Sequence, residues 1–142
     1  MDIPDSVTLI GYEAFHNCSS LTSIEVDENN TTYQSLDGNL YNKDGTTLIQ
    51  YAFGKTATEF VIPDSVTTIG DSAFNVCRSL TSIEIPDSVT TIGDYAFCLC
   101  NSLTSIVFEG TVEEWNAISK GTDWKYNVPA TEVVCKDGSV AL

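Results

Sequence analysis

The apolar positions of this chain recur in a fixed order that follows neither a single helical period nor a single strand period. After Ile62 they are Val66, Ile69, Ala73, Phe74, Cys77, Leu80, Ile83 and Ile85. After Ile85 they are Val89, Ile92, Ala96, Phe97, Cys100, Leu103, Ile106 and Phe108. The two stretches, IPDSVTTIGDSAFNVCRSLTSIE and IPDSVTTIGDYAFCLCNSLTSIV, are offset by 23 residues and agree even at small and polar positions. An earlier relative, IPDSVTLIGYEAFHNCSSLTSIE, occupies Ile3 to Glu25. Self-similarity at this period predicts a solenoid, in which each unit stacks on its neighbour because it cannot bury its apolar face alone.

Within the first unit, Pro4, Asp5 and Ser6 give a turn signal, because proline fixes φ and the polar side chains cap the backbone. Val7 and Ile10 are expected to point inward, with Gly11 allowing a change of direction. Tyr12 to Cys18 is too short for a full helix; one or two helical turns would bring Ala14, Phe15 and Cys18 against the core. Phe15, Phe74 and Phe97 are then expected to stack as an aromatic ladder. Leu21, Ile24 and Val26 form L-x-x-I-x-V, whose alternating end reads as a short half-buried strand. Stacked copies of that strand make a parallel sheet with the intervening side chains facing solvent.

The regularity breaks from Asp27 to Thr56. This segment holds two Asp-Gly steps, and Asn39–Tyr41 and Thr46–Tyr51 flank the second, which predicts a β-hairpin turning through Asn42 to Gly45. Tyr33, Leu36, Leu40, Leu48 and Tyr51 are expected to seal it onto the solenoid, and Ala57, Phe60 and Ile62 to mirror Leu80, Ile83 and Ile85. After Phe108, Thr111-Val112-Glu113-Glu114 is a capping box. Trp115 and Ile118 share one face of the helix that follows, and Gly121 is its expected stop. Thr131–Cys135 reads as a strand and Lys136–Ser139 as a turn into Val140, with Trp115 and Trp124 as the core of this end unit. The expected architecture is one β-rich solenoid over residues 1–142. Its repeats start at 3, 26 (long and hairpin-bearing), 62 and 85, with irregular or short helical turns opposite the sheet and a helix-plus-hairpin cap over 109–142.

Composition narrows the function classes. Acidic residues number 20 against 6 Lys and Arg, a formal net charge of −14. That balance opposes binding to a nucleic-acid backbone, which needs basic groups to neutralise phosphates, and opposes an anionic membrane surface. No apolar run is long enough to span a bilayer as a helix. The chain opens MDIPD inside a repeat, with neither a signal peptide nor a polar cap before Ile3. The expectation is a repeat domain cut from a longer precursor, rather than a short intracellular protein.

Of the five cysteines, Cys18, Cys77 and Cys100 occupy the same place in three repeats. A buried column of small hydrophobes is their most economical role. Cys98 and Cys135 fall outside it; a bridge between them stays open, and Cys98, if exposed, offers a thiol for dimerisation. No Cys-x-x-Cys pair or His cluster appears, so no structural zinc site is expected.

The unit IPDSVTTIGDYAFCLCNSLTSI closely resembles the leucine-rich repeats of the BspA-like family, found in surface proteins of gut and oral bacteria and of some mucosal protozoa. The resemblance covers nearly the whole chain. Asp27–Thr56 resembles the hairpin-bearing long repeat of such proteins, and the Trp115 helix with Cys135-Lys136-Asp137-Gly138 resembles their C-terminal unit. It implies a leucine-rich repeat solenoid and an extracellular or cell-surface location. It also implies adhesion to a host or extracellular-matrix protein or glycan, with no catalytic residue and no cofactor to carry over.

A binding face would use the exposed strand positions. These are Thr22, Ser23 and Glu25 in the first repeat, Thr81, Ser82 and Glu84 in the third, and Thr104, Ser105 and Val107 in the fourth. Stacked at about 4.8 Å, they would form a Thr/Ser/Glu stripe; the plainer reading is that they are solvated β-formers repeated by duplication. Asp27, Glu28, Asn29, Asn30, Asp37 and Asn39 supply oxygens, but their spacing does not match an EF-hand loop and Asp and Asn are common turn residues. His16 is the only histidine and has no nameable partner, while Asp64 and Asp87 follow repeat prolines as turn residues. No enzyme is expected. A binding module and a structural spacer that presents other domains remain as the two readings, with oligomeric state open.

Overall fold

The computed structural model describes residues 1–142 and winds them into a β-solenoid of about six turns. The strands are β1 (Asp2–Ile3), β2 (Glu25–Val26), β3 (Tyr33–Leu36), β4 (Asn39–Asn42), β5 (Thr47–Gln50), β6 (Glu59–Val61), β7 (Thr68–Ile69), β8 (Ser82–Ile85), β9 (Thr91–Ile92) and β10 (Ser105–Phe108). Helix α1 (Val112–Ala117), β11 (Ser119–Lys120), β12 (Glu132–Cys135) and β13 (Gly138–Ala141) complete the chain.

The counterparts of L-x-x-I-x-V after the first repeat, together with the terminal strand β13, build a five-stranded sheet in the order β13-β12-β10-β8-β6. Its stacked strands are parallel, and only the terminal hairpin β12–β13 is antiparallel. One row of side chains, Phe60, Ile83, Ile106 and Val133, points inward in register. The Thr-Ile pairs of the third and fourth repeats, β7 and β9, join β11 and the strands of the long repeat in a second sheet that the apolar pattern did not predict, in the order β11-β9-β7-β5-β4-β3. Two residues per strand are too few to show a period of two.

The first repeat departs from its copies. Only Glu25–Val26 of its L-x-x-I-x-V segment is a strand, and it pairs in parallel with β1 instead of joining the main sheet. The Asp37–Gly38 turn packs against it, with the Ile24 N–H donating to the Gly38 carbonyl at 2.8 Å. That first Asp-Gly step is itself a hairpin turn between β3 and β4, in addition to the expected one between β4 and β5. The long repeat is therefore a three-stranded antiparallel meander. Gly38 and Gly45 take φ of 76° and 72° there, which a side chain would strain. Leu36 is exposed and seals nothing, and Ala57 is exposed where its counterpart Leu80 is buried.

The turn after each repeat glycine contains no helix. Two residues four apart take left-handed φ in every copy: Glu13 and Asn17, Ser72 and Val76, Tyr95 and Leu99. Such residues interrupt a right-handed helix. Instead the turns stack edge to edge. The N–H groups of Ser72, Phe74 and Val76 donate to the carbonyls of Asp94, Ala96 and Cys98 at 2.8–2.9 Å. Tyr95, Phe97 and Leu99 donate to Thr122, Trp124 and Tyr126 at 2.8–2.9 Å. This ladder holds Val76 and Leu99 in a conformation costly for bulky residues.

Beyond the first repeat, the repeat glycines Gly70, Gly93 and Gly121 serve close approach rather than φ. A Cβ on Gly93 would lie 2.6 Å from the Asp71 backbone nitrogen, whereas one on Gly11 would meet nothing within 4 Å. Gly121 is the same glycine in a further coil, and it does not stop the helix. Helix α1 ends at Ala117, β11 then pairs with β9, and Asp123 and Asn127 repeat the left-handed pair. The end unit thus carries one more turn of the solenoid as well as the helix and hairpin. The Thr111 hydroxyl accepts from the Glu114 N–H at 3.1 Å and the Glu114 carboxylate from the Thr111 N–H at 2.8 Å. Lys120 Nζ donates to the Trp115 and Ile118 carbonyls at 2.8 and 3.1 Å while lying over the Trp115 ring, and burial lowers its pKa.

A large apolar core runs from Tyr41 to Cys135, and a separate small cluster comprises Ile3, Phe15, Ile24, Tyr33 and Leu40. The ladder stacks Phe74 on Phe97 with centroids 4.9 Å apart, and Trp124 closes it edge-on at 6.2 Å. Phe15 is not a rung. Tyr51 of the long repeat takes that place, 5.2 Å from Phe74. Phe15 belongs to the small cluster, and Ala14 beside it is exposed. Cys77 and Cys100 are buried in the column and Cys18 half-buried; Cys98 is buried too, so its thiol is withdrawn from any partner. All five thiols are free, and Cys98 and Cys135 are not bridged.

Candidate binding surface

Because strand side chains alternate, the inward row Phe60–Ile83–Ile106–Val133 leaves two outward rows on the five-stranded sheet. One comprises Glu59, Ser82 and Ser105 in register, with Glu132 next along β12. The other comprises Val61, Glu84, Val107 and Val134. Val61 and Val134 are 60% and 44% exposed, Val107 is half-buried, and Glu84 is exposed. Neighbours in each row are about 4.8 Å apart. The surface is an apolar stripe interrupted by one carboxylate and bordered by serines and further carboxylates.

This geometry brings Ser82, Glu84, Ser105 and Val107 together as the repeat pattern implied. Thr22, Ser23 and Glu25 are not in the sheet. Ser23 donates its hydroxyl to the Glu25 carboxylate, and the Ser23 carbonyl accepts from the Met1 ammonium at 3.0 Å. The continuous stripe over all repeats is broken by the meander, which stands between the first repeat and the rest.

Thr81 and Thr104 lie at the mouth of the sheet with their hydroxyls engaged. Thr81 donates to the Thr58 carbonyl at 3.1 Å and Thr104 to the Thr81 carbonyl at 3.4 Å. Thr67 and Thr90 form the same kind of ladder on the second sheet. Glu59, Val61, Glu132 and Val134 were missed by sequence reasoning, because their repeats have drifted. The signal lay in the x of E-F-V and E-V-V, the outward places beside a buried residue.

The oxygens gathered in the long repeat are turn chemistry. Asp27 Oδ1 accepts from the Asn29 N–H at 2.8 Å. Asn30, 1% exposed, accepts from the Thr32 and Tyr33 N–H groups and donates to the Pro4 and Val7 carbonyls. No three His, Cys, Asp or Glu side chains converge as a metal-ligand set.

The sequence matches the family model described as the BspA type leucine rich repeat region, in six copies over residues 1–42 and 35–119. A leucine-rich repeat protein from Eubacterium ventriosum is 31% identical, with a TM-score of 0.62, over 94% of this chain and 41% of that one. A leucine rich cell surface protein from Faecalibacterium prausnitzii is 25% identical, with a TM-score of 0.63, over 84% of this chain and 50% of that one. The pneumococcal vaccine antigen PcpA shares the fold, with a TM-score of 0.68 at 20% identity, over 98% of this chain and 45% of that one. The chain therefore spans half or less of the length of these three proteins. No curated protein sequence matches it.

Proposed function

The chain belongs to the BspA-type leucine-rich repeat family, and from that premise we propose that it is a non-catalytic, surface-displayed or secreted adhesion module. It engages a host or extracellular-matrix protein through the outward face of the five-stranded sheet. The observation that carries this reading is the in-register row Val61–Glu84–Val107–Val134. Exposed apolar side chains aligned on a rigid sheet, rimmed by polar groups, are what a protein interface uses at its centre. The carboxylates of Glu59, Glu84 and Glu132 favour a partner with basic groups around an apolar contact, since complementary charge steers encounter. Similarity to a cell surface protein supports the location.

The threonine ladders favour a second reading. Hydroxyls already committed to carbonyls of the preceding coil act in stacking, as a spacer's would. Binding of the purified chain to a panel of immobilised matrix proteins separates the two. Saturable binding weakened roughly tenfold or more by Val61→Lys with Val134→Lys, in a variant with unchanged thermal unfolding, supports adhesion. A panel without saturable binding, or binding unaffected by the pair, supports the spacer.

A further inference from the structure

The column of stacked turns has a gap. The first repeat contributes its turn at Glu13–Ser19 and the third at Ser72–Ser79, but the long repeat passes between them with only Phe53 and Gly54. Gly54 makes this short passage fit. Its N–H donates to the Leu21 carbonyl at 2.8 Å, and a Cβ there would lie 2.6 Å from the Leu21 backbone. The missing turn leaves a cleft of about 440 Å³ floored by Gln50, Phe53 and Gly54, within the range of small-molecule sites.

The walls are polar: of 13 lining residues only Phe15, Phe53 and Val76 are hydrophobic. Several polar groups lack partners. Gln50 is 8% exposed, and its Nε2 is tied to the Tyr51 and Ala73 carbonyls while its Oε1 accepts no hydrogen bond. Ser72 Oγ and Asn75 Oδ1 are buried in the cleft wall with no partner. Buried polar groups are normally satisfied, so two unpaired ones in the wall of a single concavity, with the unpartnered Gln50 Oε1 on its floor, mark a place where something else completes them. The only histidine, His16, and the only arginine, Arg78, both line this cleft. Neither repeats at the matching positions of the fourth repeat, where Cys98 and Asn101 stand.

We propose that this cleft binds one acidic sugar residue. The Gln50 amide oxygen and the Glu13 carboxylate accept from ring hydroxyls, and the Ser72 and Asn75 side chains turn out of the wall to meet others. Arg78 faces a carboxylate with paired N–H donors, with His16 beside it. Phe15 and Phe53 offer faces for the C–H side of a pyranose ring. A lipid would leave the amides unpaired, and a neutral sugar would leave Arg78 unused. Glu13 and the net charge of −14 oppose a bare anion, so the hydroxyl contacts are required as well. This site is separate from the sheet face and stands or falls independently of it.

Titration of the whole chain with glucuronic, galacturonic or N-acetylneuraminic acid, followed by amide NMR, tests the assignment, with glucose and acetate as controls. Saturable shifts at Gln50, Ser72 and Asn75 are expected for at least one acid, binding at least about tenfold tighter than glucose or acetate. Arg78→Ala, an exposed change, should weaken that acid roughly tenfold, with partial recovery in Arg78→Lys, while Val61→Lys with Val134→Lys leaves it unchanged. Absence of saturable binding by all three acids, equal binding of glucose or acetate, or full affinity in Arg78→Ala overturns the proposal.

Discussion

The rings of Phe74 and Phe97 lie with centroids 4.9 Å apart and planes 9° from parallel, so two successive coils are joined through the same atom group at the same height. Both are fully buried. Removing one ring exposes the face of the other to a void, and the neighbouring backbone cannot close in because its own N–H ladder fixes the spacing. Phe74→Ala is therefore expected to lose about 3–5 kcal/mol in urea unfolding. Phe15→Ala should lose less, because Phe15 packs only in the five-residue cluster outside the ladder. Equal losses would contradict the exclusion of Phe15 from the stack.

The repeat glycines offer a sharper contrast, since their sequence contexts match and their surroundings do not. Gly93→Ala drives a methyl onto the Asp71 backbone and is expected to destabilise by about 1–3 kcal/mol, as overpacking does. Gly11→Ala meets open space and should change stability by no more than about 0.5 kcal/mol, as an ordinary surface change does. A comparison of their urea midpoints reads the difference directly.

Alkaline stability follows from the buried acids of the core. Burial raises the Cys77 thiol, with neighbouring Cys100 adding to it, and burial also raises Cys98 and Cys135. Tyr41 and Tyr51 are pushed up to about 12 by burial, with smaller contributions from Asp37 and Cys77 respectively. A group whose folded pKa lies above its unfolded one stabilises fully below the unfolded value and loses that contribution as pH rises through the folded value. These groups should therefore leave stability unchanged up to about pH 8, near the unfolded thiol range. They should then lower it, first through the thiols and then, between pH 10 and about 12, through the two phenols. Urea unfolding at stepped pH measures this; stability that rises above pH 9 would contradict it.

Much of this was legible from residues alone, because a repeat prints its core positions several times over. Val66 and Val89, or Ile83 and Ile106, could be assigned inward without coordinates. Tyr51 was legible as buried but not as a rung, since the long repeat shifts its register and only packing decides which aromatic meets Phe74. The second sheet was invisible because Thr68–Ile69 and Thr91–Ile92 are each a two-residue strand. Glycine misled at both ends: at Gly121 its absent side chain admits a neighbouring coil and its backbone freedom is not used, and at Gly11 neither property is used. The candidate surface was half legible. Ser82, Glu84 and Ser105 came from the clean repeats, but the detachment of Thr22, Ser23 and Glu25 depends on a meander whose first turn, Asp37–Gly38, was not assigned.

That detachment gives the most direct test of the sheet face as the binding surface. Glu25 and Glu84 have the same place in their repeats and are both exposed, yet only Glu84 stands in the row with Val61, Val107 and Val134. Affinity for a matrix protein bound by the wild-type chain would be measured for Glu25→Lys and Glu84→Lys side by side. The expected result is a loss of roughly tenfold or more for Glu84→Lys and no change for Glu25→Lys. Equal losses, or a loss confined to Glu25→Lys, would contradict the assignment of binding to the five-stranded sheet.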